Sequence, residues 1–498
     1  MILALVATGN LVSVLVTNIH PDEAYYWAWS VYPDFSYFDH PPMVGWMIWL
    51  VDKLVGINDV TLRIPAFLAW FVATVCVYKI STKHYGEKIY GWLAAAIFSI
   101  LPVSQAASQI VTPDSPLLLF TALTYYFLFD AVAKNSSRSW LITGVMAGMG
   151  LLSKYNAVLL PLIIFLGLIL TPEGRSRLGR WSPWLAGIIA GMLFLPVVYW
   201  NYTNDWISFS LQLGHGVGSE FKIENIFTYI GGQLGAALFW IMLLMMVASL
   251  KRIKTAAEYS RIFQHILIVG FWLPLVFFGW ASGTKVGQVN WPAMAYLPGT
   301  ILLAGMLGSY LRTGEEKSNR KPTLVVSSLL LFSCLVSVTL VNMFRYPIET
   351  KKIGLAILPT NTQVSDTYGW PMLKSRIDKI SRTYRLGNEC RIYFSTKYMW
   401  SSMIYRYRDV DRFAILPAKN VDDQYANWAS RGIFSKRKPC LVVERLPLDK
   451  SKYASEKEWS GLGKWHLIDI LTTPTSDTPR IYGFYLPDQS KKQEGAIK

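Results

Sequence analysis

The chain carries little charge for its length. Asp, Glu, Lys and Arg make up 16% of its 498 residues, whereas hydrophobic residues make up 52%. A soluble domain carries about 25% charged residues, so this composition argues against a soluble multidomain protein. The sequence has only four cysteines, which excludes a disulfide scaffold, and its hydrophobic content excludes intrinsic disorder.

Nucleotide-binding signatures are also absent from the sequence. It contains no Walker loop, no Rossmann glycine fingerprint and no zinc-type cysteine spacing. We therefore expect no nucleotide cofactor, no ATP- or NAD-driven chemistry and no nucleic-acid partner. Aromatic residues, in contrast, are plentiful: 20 Trp, 27 Tyr and 24 Phe fit the aromatic belts of a polytopic membrane protein.

The last third of the chain lacks any apolar run long enough to cross a bilayer. From Arg345 to Lys498 it holds 27 Lys and Arg against 16 Asp and Glu, a net charge of +11. We therefore divide the chain into a membrane domain at 1–344 and a soluble, extracytoplasmic α/β domain at 345–498. In this tail the pattern predicts a helix over 366–385 and strands at Cys390–Ser395, Phe413–Leu416 and Cys440–Glu444.

The tail leaves two questions open at this stage. Its positive charge favours contact with anionic headgroups or lipopolysaccharide phosphates, but a merely basic soluble surface explains it equally well. Cys390 and Cys440 each open a predicted strand, so a bridge between them is one alternative, which spacing alone does not establish. Cys76 and Cys334 lie within predicted spans.

Before Phe344 the sequence is a series of apolar stretches, each suited to a membrane helix of about 17–25 residues. We count eleven, of which the fifth and sixth are alternatively one long helix. The predicted spans are Ile2–Ile19, Leu62–Ile80, Tyr90–Ser108, Leu117–Ala133, Trp140–Leu152, Ala157–Leu170, Trp184–Trp200, Ile226–Leu250, Phe263–Trp280, Trp291–Leu311 and Pro322–Phe344. The first span has no basic n-region, so we expect it to stay uncleaved, although the natural N-terminus is alternatively upstream.

The basic residues between these spans predict an orientation. With the N-terminus inside, fifteen Lys and Arg fall in inner loops, and only Lys53, Lys154, Lys222 and Lys285 fall in outer loops before the tail. The positive-inside rule then places the tail and the outer loops on the periplasmic side of a plasma, or inner, membrane. The inner set is Lys83, Lys88, Lys134, Arg138, Arg175, Arg177, Arg180, Lys251, Arg252, Lys254, Arg261, Arg312, Lys317, Arg320 and Lys321.

Acidic residues lie in the outer loops. Asp22 and Glu23 open the first outer segment close to the membrane surface and precede aromatic residues expected in the interface. The same loop carries Asp39 and His40 before two prolines, and both groups can bind a cation. Asp114 stands between Pro113 and Pro116. The plainer alternatives are a solvated pair at a helix N-terminus for the first two acids and an N-cap for Asp114.

Cationic side chains fall on the same predicted face. They are Arg63 at the start of the second span, Lys154 and Lys285. A lone lysine at a helix end more often snorkels than binds a ligand, so each one is weak evidence by itself. Together, carboxylates and cations from at least four segments suit a reaction of an anionic, lipid-borne donor with an acceptor presented from outside. A sugar on a polyprenyl phosphate needs cations for its leaving group and a base where the acceptor is a hydroxyl.

Five short motifs carry a family resemblance. They are Asp22-Glu23, Tyr-Phe-Asp-His-Pro-Pro at 37–42, Thr-Pro-Asp at 112–114, Ser-Lys-Tyr at 153–155 and Asn-Trp-Pro at 290–292. In this order, over residues 20–344, the chain resembles the bacterial branch of the protein O-mannosyltransferase-like family, a GT-C glycosyltransferase family that includes the lipid A aminoarabinose transferases.

The resemblance implies a polytopic α-helical GT-C enzyme with about eleven transmembrane helices and a C-terminal soluble α/β domain. It implies transfer of a sugar from a polyprenyl-phosphate donor to lipid A, a glycan or a protein by an inverting displacement. By motif match, Asp22 is the candidate catalytic carboxylate, supported by Glu23, and Asp114 is the second acidic position. Lys154 and Lys285 match the basic positions near the donor phosphate.

The chain departs from the aminoarabinose enzymes at Asp39-His40, where those enzymes carry Glu-Lys. The phosphate-binding role of that lysine therefore does not transfer directly. His40 is expected either to replace it as a donor or to join Asp39 at a divalent metal cation. His215 resembles a metal-associated histidine of the family and is the third expected ligand; the alternative is a free surface histidine.

Two other functional classes share this gross hydropathy. A polytopic lipid or solute transporter would place ionisable residues and broken helices at mid-membrane, whereas these predicted spans are nearly free of Asp and Glu. A non-catalytic lipid-binding or assembly protein with a periplasmic domain would not need five motif-bearing loops. We therefore favour the enzyme.

Overall fold

The computed structural model describes most of the chain. The described residues are 2–214, 220–251, 260–285, 287–316, 319–345, 369–416, 424–434, 437–449, 453–459, 462–473 and 480–487. Contacts divide the chain into two compact units. The first comprises Met1–Val16 and Pro33–Val341, and the second comprises Thr17–Tyr32 and Asn342–Lys498. The second unit begins close to the boundary expected near Phe344, but it also takes in a short N-terminal segment.

The first unit is helical. Its long helices are apolar because lipid offers no partner for backbone N–H and C=O groups, which a helix satisfies internally. Three 3-10 turns, Thr61–Arg63, Tyr155–Val158 and Ala293–Ala295, precede helices. The helices are α1 Ile2–Val16, α3 Met43–Val55, α4 Ile64–Tyr85, α5 Lys88–Ile100, α6 Pro102–Gln109, α7 Asp114–Lys134, α8 Ser137–Leu151, α9 Leu159–Ile169, α10 Pro172–Leu178, α11 Trp181–Thr203, α12 Ile207–Gly214, α13 Ile223–Ala236, α14 Phe239–Leu250, α15 Ser260–Ser282, α16 Tyr296–Glu316 and α17 Lys321–Arg345.

The expected number of spans is not confirmed. Within the described residues, six helices are long and apolar enough to cross a membrane, or up to eight if each of two bent pairs is one span. Two further apolar helices, Leu3–Leu15 and Tyr155–Ile169, are shorter. The fifth and sixth predicted spans, for which one long helix was the alternative, are separate helices. The chain is thus a multi-pass membrane protein.

Two expected spans are sharply bent. Helices α5 and α6 meet at 71°, where Pro102 removes a backbone N–H and Leu101 takes an extended conformation. Helices α13 and α14 meet at 96°, and the intervening Leu238 has a φ of 63°, which is strained for a residue with a Cβ. A hydropathy window sees only the apolar content of these stretches, so it counts each pair as one straight helix.

The second unit contains a mixed six-stranded sheet in the order β2-β1-β3-β6-β5-β4. Strand β1 pairs in parallel with β2 and β3, and the other pairings are antiparallel. Its first three strands lie where the sequence pattern predicts them. The strands are β1 Cys390–Phe394, β2 Phe413–Ile415, β3 Lys438–Leu446, β4 Glu456–Trp459, β5 Gly463–Thr473 and β6 Arg480–Pro487, and the helices are α2 Pro21–Val31, α18 Trp370–Thr383, α19 Lys397–Tyr407 and α20 Gln424–Ser430.

A disulfide and a partly buried hydrogen bond connect elements of this unit. Cys390 and Cys440 form a disulfide between the adjacent strands β1 and β3, with Cα atoms 5.5 Å apart. Tyr407 donates a 2.6 Å hydrogen bond to Asp378 and so joins α19 to α18. Burial raises the pKa of Tyr407, and the bonded carboxylate raises it further, so this hydroxyl stays a donor. Burial opposes ionisation of Asp378, but the bonds from Lys374 and Tyr407 outweigh it and lower its pKa.

Helix α2 belongs to the second unit although it lies more than three hundred residues before the rest. Its aromatic residues, expected in the membrane interface, are instead packed against α19. Tyr25 is 1% exposed, Trp27 is 6% exposed and Trp29 is fully buried. This contact cannot be predicted from the sequence, because the two segments are remote along the chain.

Candidate functional site

Four of the five motifs lie in the first unit, and hydrogen bonds connect them. The loop at 33–42 reaches the 152–156 turn through Met43, whose N–H donates to the Leu152 carbonyl at 3.0 Å. The same turn bonds to Asp114 and to the 290–292 motif. Segments far apart in sequence therefore meet in one polar cluster.

The centre of this cluster is the Asp114 carboxylate. One of its oxygens, Oδ1, lies 2.8 Å from the Lys154 ammonium, and the other, Oδ2, accepts a 2.6 Å hydrogen bond from Asn290. The Lys154 and Asp114 side chains are only 6% and 13% exposed. Removing such charges from water is costly unless they pair, so each ion stabilises the other in this position.

Local backbone structure aims Lys154 at Asp114. Helix α8 ends at Leu151, and the N–H of Lys154 donates back to the Gly150 carbonyl at 3.2 Å. Lys154 is extended and precedes a 3-10 turn, whose residue Ala157 donates to the Lys154 carbonyl. Asn156 in this turn donates to the Trp291 carbonyl at 3.0 Å, so the 3-10 turn also holds the segment that carries Asn290.

The far side of the turn is bonded to the end of α11 and to α12. The Tyr155 hydroxyl lies 2.6 Å from the Ser208 hydroxyl and accepts a hydrogen bond from Asn201 at 3.4 Å. Gln212 donates to the Asp39 carbonyl at 2.9 Å, which fixes the backbone beside His40. These contacts surround the site with hydrogen-bonded loops.

The loop at 33–42 has its own internal support. Trp200 donates to the Asp34 carboxylate at 3.0 Å, and Trp46 donates to the Asp34 carbonyl at 3.0 Å. The Tyr37 hydroxyl accepts from the Asp34 N–H, and burial raises the pKa of Tyr37 well above its ordinary value. A neutral phenol and two indoles thus hold the segment that leads to Asp39 and His40.

The other predicted cations are not part of the Asp114 cluster. Arg63 is 1% exposed and donates to the Val14 carbonyl at 3.1 Å, so it ties the end of α1 to the turn before α4. Lys285 is exposed. Among the predicted phosphate-binding groups, Lys154 forms a buried ion pair with a predicted acid, Asp114.

Asp22 and Glu23 lie at the start of α2 in the second unit. The His20 imidazole accepts the Asp22 N–H at 3.1 Å, and Glu23, fully buried, accepts the His20 N–H at 2.9 Å. These reciprocal bonds form a capping box that fixes the helix start. The Asp22 side chain is 33% exposed and lies 3.5 Å from His20. Glu23 thus supports the helix, whereas Asp22 keeps a third of its side chain exposed.

The expected metal ligands are described only in part. His215 lies outside the described residues, and Asp39 and His40 are adjacent in the partly buried 33–42 loop. Among the residues described, no group of three or more His, Cys, Asp or Glu side chains could hold a metal ion. The metal site therefore stays a prediction.

Sequence reasoning missed several members of the cluster. Asn290 belongs to a quoted motif, but its bond to Asp114 depends on a contact across 176 residues. Ser208, Gln212 and Trp200 carried no motif signal at all. In the second unit, the capping role of His20 did have a local signal, since His20 stands three residues before Glu23 at a helix start.

We expect Asp114 and Lys154 to be energetically coupled. Breaking a buried ion pair from one side strands a charge and costs about 3–5 kcal/mol. Asp114→Asn and Lys154→Met should each lower the melting temperature of the purified protein, and the double variant should lose less than the sum of the two. Thermal unfolding in detergent measures all three.

Lys53→Ala is the control for this comparison, because Lys53 is an exposed lysine of the same unit. Its melting temperature should match that of the unchanged protein. Additive losses in the double variant would show that the pair is not coupled.

Comparison with known proteins supports the family resemblance. The family model for dolichyl-phosphate-mannose-protein mannosyltransferases matches residues 39–200. The lipid A galacturonosyltransferase RgtD of Rhizobium johnstonii is 25% identical over 295 residues, 58% of this chain and 61% of that protein. An undecaprenyl phosphate-aminoarabinose arabinosyl transferase of Shewanella sediminis is 23% identical over 66% of this chain and 60% of its own. The match thus spans less than two thirds of these relatives.

Solved structures give the fold. The crystal structure of ArnT from Cupriavidus metallidurans bound to undecaprenyl phosphate has a TM-score of 0.61 at 13% identity, and the superposition covers 97% of both chains. The apo structure of the same protein gives 0.60. The chain is a multi-pass inner-membrane protein with the GT-C fold. Its predicted resemblance to the bacterial branch of the protein O-mannosyltransferase-like glycosyltransferase family is confirmed.

Proposed function

We propose that the protein is an integral membrane glycosyltransferase. It transfers a sugar from a polyprenyl-phosphate donor to lipid A or another extracytoplasmic glycolipid, glycan or protein acceptor, by an inverting displacement. The observation that carries this proposal is the buried Asp114–Lys154–Asn290 cluster, in which three of the motifs meet. The names of the relatives support both classes: the lipid A and lipopolysaccharide core galacturonosyltransferases support the acceptor, and the undecaprenyl phosphate-aminoarabinose arabinosyl transferase supports the donor.

Lys154 is proposed to stabilise the departing phosphate. An ammonium group has three N–H donors, and the bond to Asp114 uses one of them. As the bond from sugar to phosphate breaks, negative charge grows on the phosphate oxygen, and a preorganised cation lowers the energy of that state. Lys285, Arg63 and His40 are proposed as further contacts to the donor phosphate.

The two predicted carboxylates have different environments and are proposed to have different roles. Both oxygens of Asp114 are engaged, by Lys154 and Asn290, so Asp114 holds the cation in place and is poorly suited to accept a proton. Asp22 is a third exposed and is the candidate that meets the acceptor. For a hydroxyl acceptor it acts as general base; for a phosphate acceptor, already anionic, it orients groups or holds a metal.

The catalytic loops and the C-terminal domain are proposed to face the periplasm. The support is the bias of basic residues, with fifteen in the predicted inner loops and four in the outer loops before the tail. The transporter alternative gains no support, because the relatives are glycosyltransferases.

Asp22→Asn should abolish sugar transfer without loss of folding. The substitution removes the negative charge but keeps the backbone N–H that His20 caps, so α2 should still begin at the same place. The measurement is mass spectrometry of lipid A and other glycolipids from cells that express the protein, the variant or neither. A sugar increment present only with the unchanged protein identifies both sugar and acceptor.

Asp59→Asn provides a matched control, since Asp59 is an exposed outer-loop aspartate outside the site. It should preserve the increment. Normal transfer by Asp22→Asn would remove Asp22 from the catalytic assignment, and absence of any increment with the unchanged protein would count against the proposed function.

Lys154 and Lys285 should differ in their effect on donor binding. Lys154→Ala should weaken the binding of undecaprenyl phosphate by about 2–4 kcal/mol, because its charge is buried. Lys285→Ala should cost less than about 1 kcal/mol, because exposed charges are screened by water. Lys154→Arg keeps the charge and should retain part of the affinity. Titration of the purified protein with undecaprenyl phosphate gives the dissociation constants; equal values for Lys154→Ala and the unchanged protein would exclude the phosphate contact.

A divalent metal at Asp39, His40 and His215 is proposed as a further part of the site. Removal of the metal by a chelator should then lower the transfer rate, and added divalent ions should restore it. His40→Ala should make the rate insensitive to both treatments. A transfer rate that does not respond to chelator in the unchanged protein would remove all three residues from a metal role.

A further inference from the structure

The helix that carries Asp22 is held by the C-terminal part of the chain. Helix α2 has eleven residues, and an isolated helix of this length is marginal in water. Its N-terminus is capped by His20, but a cap does not determine where a helix lies. Its position within the second unit is set by contacts with α19 and α20.

Tyr25 is the centre of these contacts. Its ring lies edge-on to Trp400 with centroids 6.4 Å apart, and the Lys397 ammonium lies 3.7 Å from its ring centroid. Its hydroxyl accepts a 3.2 Å hydrogen bond from the backbone N–H of Gln424. One buried side chain of α2 thus receives an aromatic, a cationic and a hydrogen-bonding contact from residues almost four hundred positions away.

A second contact prevents α2 from rotating about Tyr25. Trp27 packs edge-on against Tyr405 with centroids 5.4 Å apart, and the Arg408 guanidinium lies 5.2 Å from the Trp27 ring. Trp400 is itself fixed, because it donates to the Phe413 carbonyl of β2 at 3.2 Å. The sheet, α19 and α2 therefore form one continuous packed structure.

Tyr25 lies three residues after Asp22, which places both side chains on neighbouring positions of one helical face. A shift of Tyr25 is transmitted to Asp22 through less than one turn of rigid helix. Because catalysis is sensitive to displacements of about 1 Å, an anchor at this position controls the carboxylate.

We propose that Tyr25, Trp400 and Lys397 are positioning residues for the Asp22 carboxylate, so that residues of the C-terminal domain determine where this carboxylate lies. This inference rests on the proposed role of Asp22. The three residues act through α2 and do not themselves touch the substrate in this proposal.

Tyr25→Phe tests the proposal with a minimal change. It removes the hydroxyl that Gln424 bonds but keeps the ring against Trp400 and Lys397. We expect kcat for sugar transfer to fall about tenfold, with KM for the polyprenyl-phosphate sugar within about twofold, because alignment is lost and donor binding is not. Trp400→Ala should lower kcat further, and Trp400→Phe should recover part of the loss.

Tyr407→Phe is the matched control. It also removes a hydroxyl within the second unit, but the two acceptors of that hydroxyl, Asp378 and the Lys374 carbonyl, lie in α18 and not in α2. Its kcat should equal that of the unchanged protein, with both variants compared at temperatures below their melting transitions.

The outcomes separate the two proposals. The positioning role is supported if Asp22→Asn is inactive and if Tyr25→Phe lowers kcat while Tyr407→Phe does not. Equal losses in the two Tyr→Phe variants, or unchanged kcat in Tyr25→Phe and Trp400→Ala, would overturn it while leaving the glycosyltransferase proposal intact. Absence of transfer by the unchanged protein overturns both.

Discussion

The buried pair of Lys154 and Asp114 is the interaction on which the polar cluster of the first unit depends. Neither charge is tolerable there alone, since desolvation costs several kcal/mol per ion, and their attraction repays this only in good geometry. The geometry comes from the loops: the 152–156 turn aims the ammonium, and Asn290 occupies the second carboxylate oxygen. Asp114 begins α7, Lys154 follows the end of α8, and Asn290 precedes α16, so the ion pair and Asn290 link three helix termini.

The same constraint explains where the helices break. An apolar helix can continue through lipid without polar partners, but each bend frees backbone groups that must be satisfied within the protein. At the bend before α6, the Gln105 amide donates to the Ile100 backbone carbonyl at 3.5 Å and to the Ser337 hydroxyl of α17 at 2.9 Å, and Gln109 donates to Asn10 of α1 at 2.7 Å. Polar side chains inside an apolar bundle are therefore placed where straight helices give way. They bind α6 to its neighbours when its own axis has turned by 71°.

The sequence predicts composition-driven and local features of this molecule well. The membrane domain and the first three strands follow from hydropathy and alternation. The count of eleven spans is not confirmed, because hydropathy registers neither a bend such as that at Leu238 nor the short length of apolar helices such as Leu3–Leu15 and Tyr155–Ile169. The prediction that the aromatic residues of α2 lie in the membrane interface is wrong for another reason. Tyr25 and Trp27 are residue types typical of interfacial anchors, and only the tertiary contacts with Trp400 and Tyr405 show that they are buried in protein. Asn290 lies in the 290–292 motif, but nothing local to it indicates its hydrogen bond to Asp114.

The charge balance of the cluster also limits how a phosphate can bind. Lys154 and Asp114 carry opposite charges. An arriving phosphate therefore meets an ammonium group that is already paired with a carboxylate. The gain must come from the remaining N–H donors of Lys154, and it is larger in a buried site than in water because the effective dielectric is lower. Asn290 contributes here without touching the donor, since its N–H bond to Oδ2 keeps Asp114 from turning both oxygens toward Lys154. An ammonium that gives only one bond to its carboxylate partner can give the others to a leaving group. By this reasoning Asn290 keeps the Asp114 carboxylate bonded to Lys154 through one oxygen. The ion pair then fixes the position of the ammonium group while its remaining N–H donors can bind the leaving group.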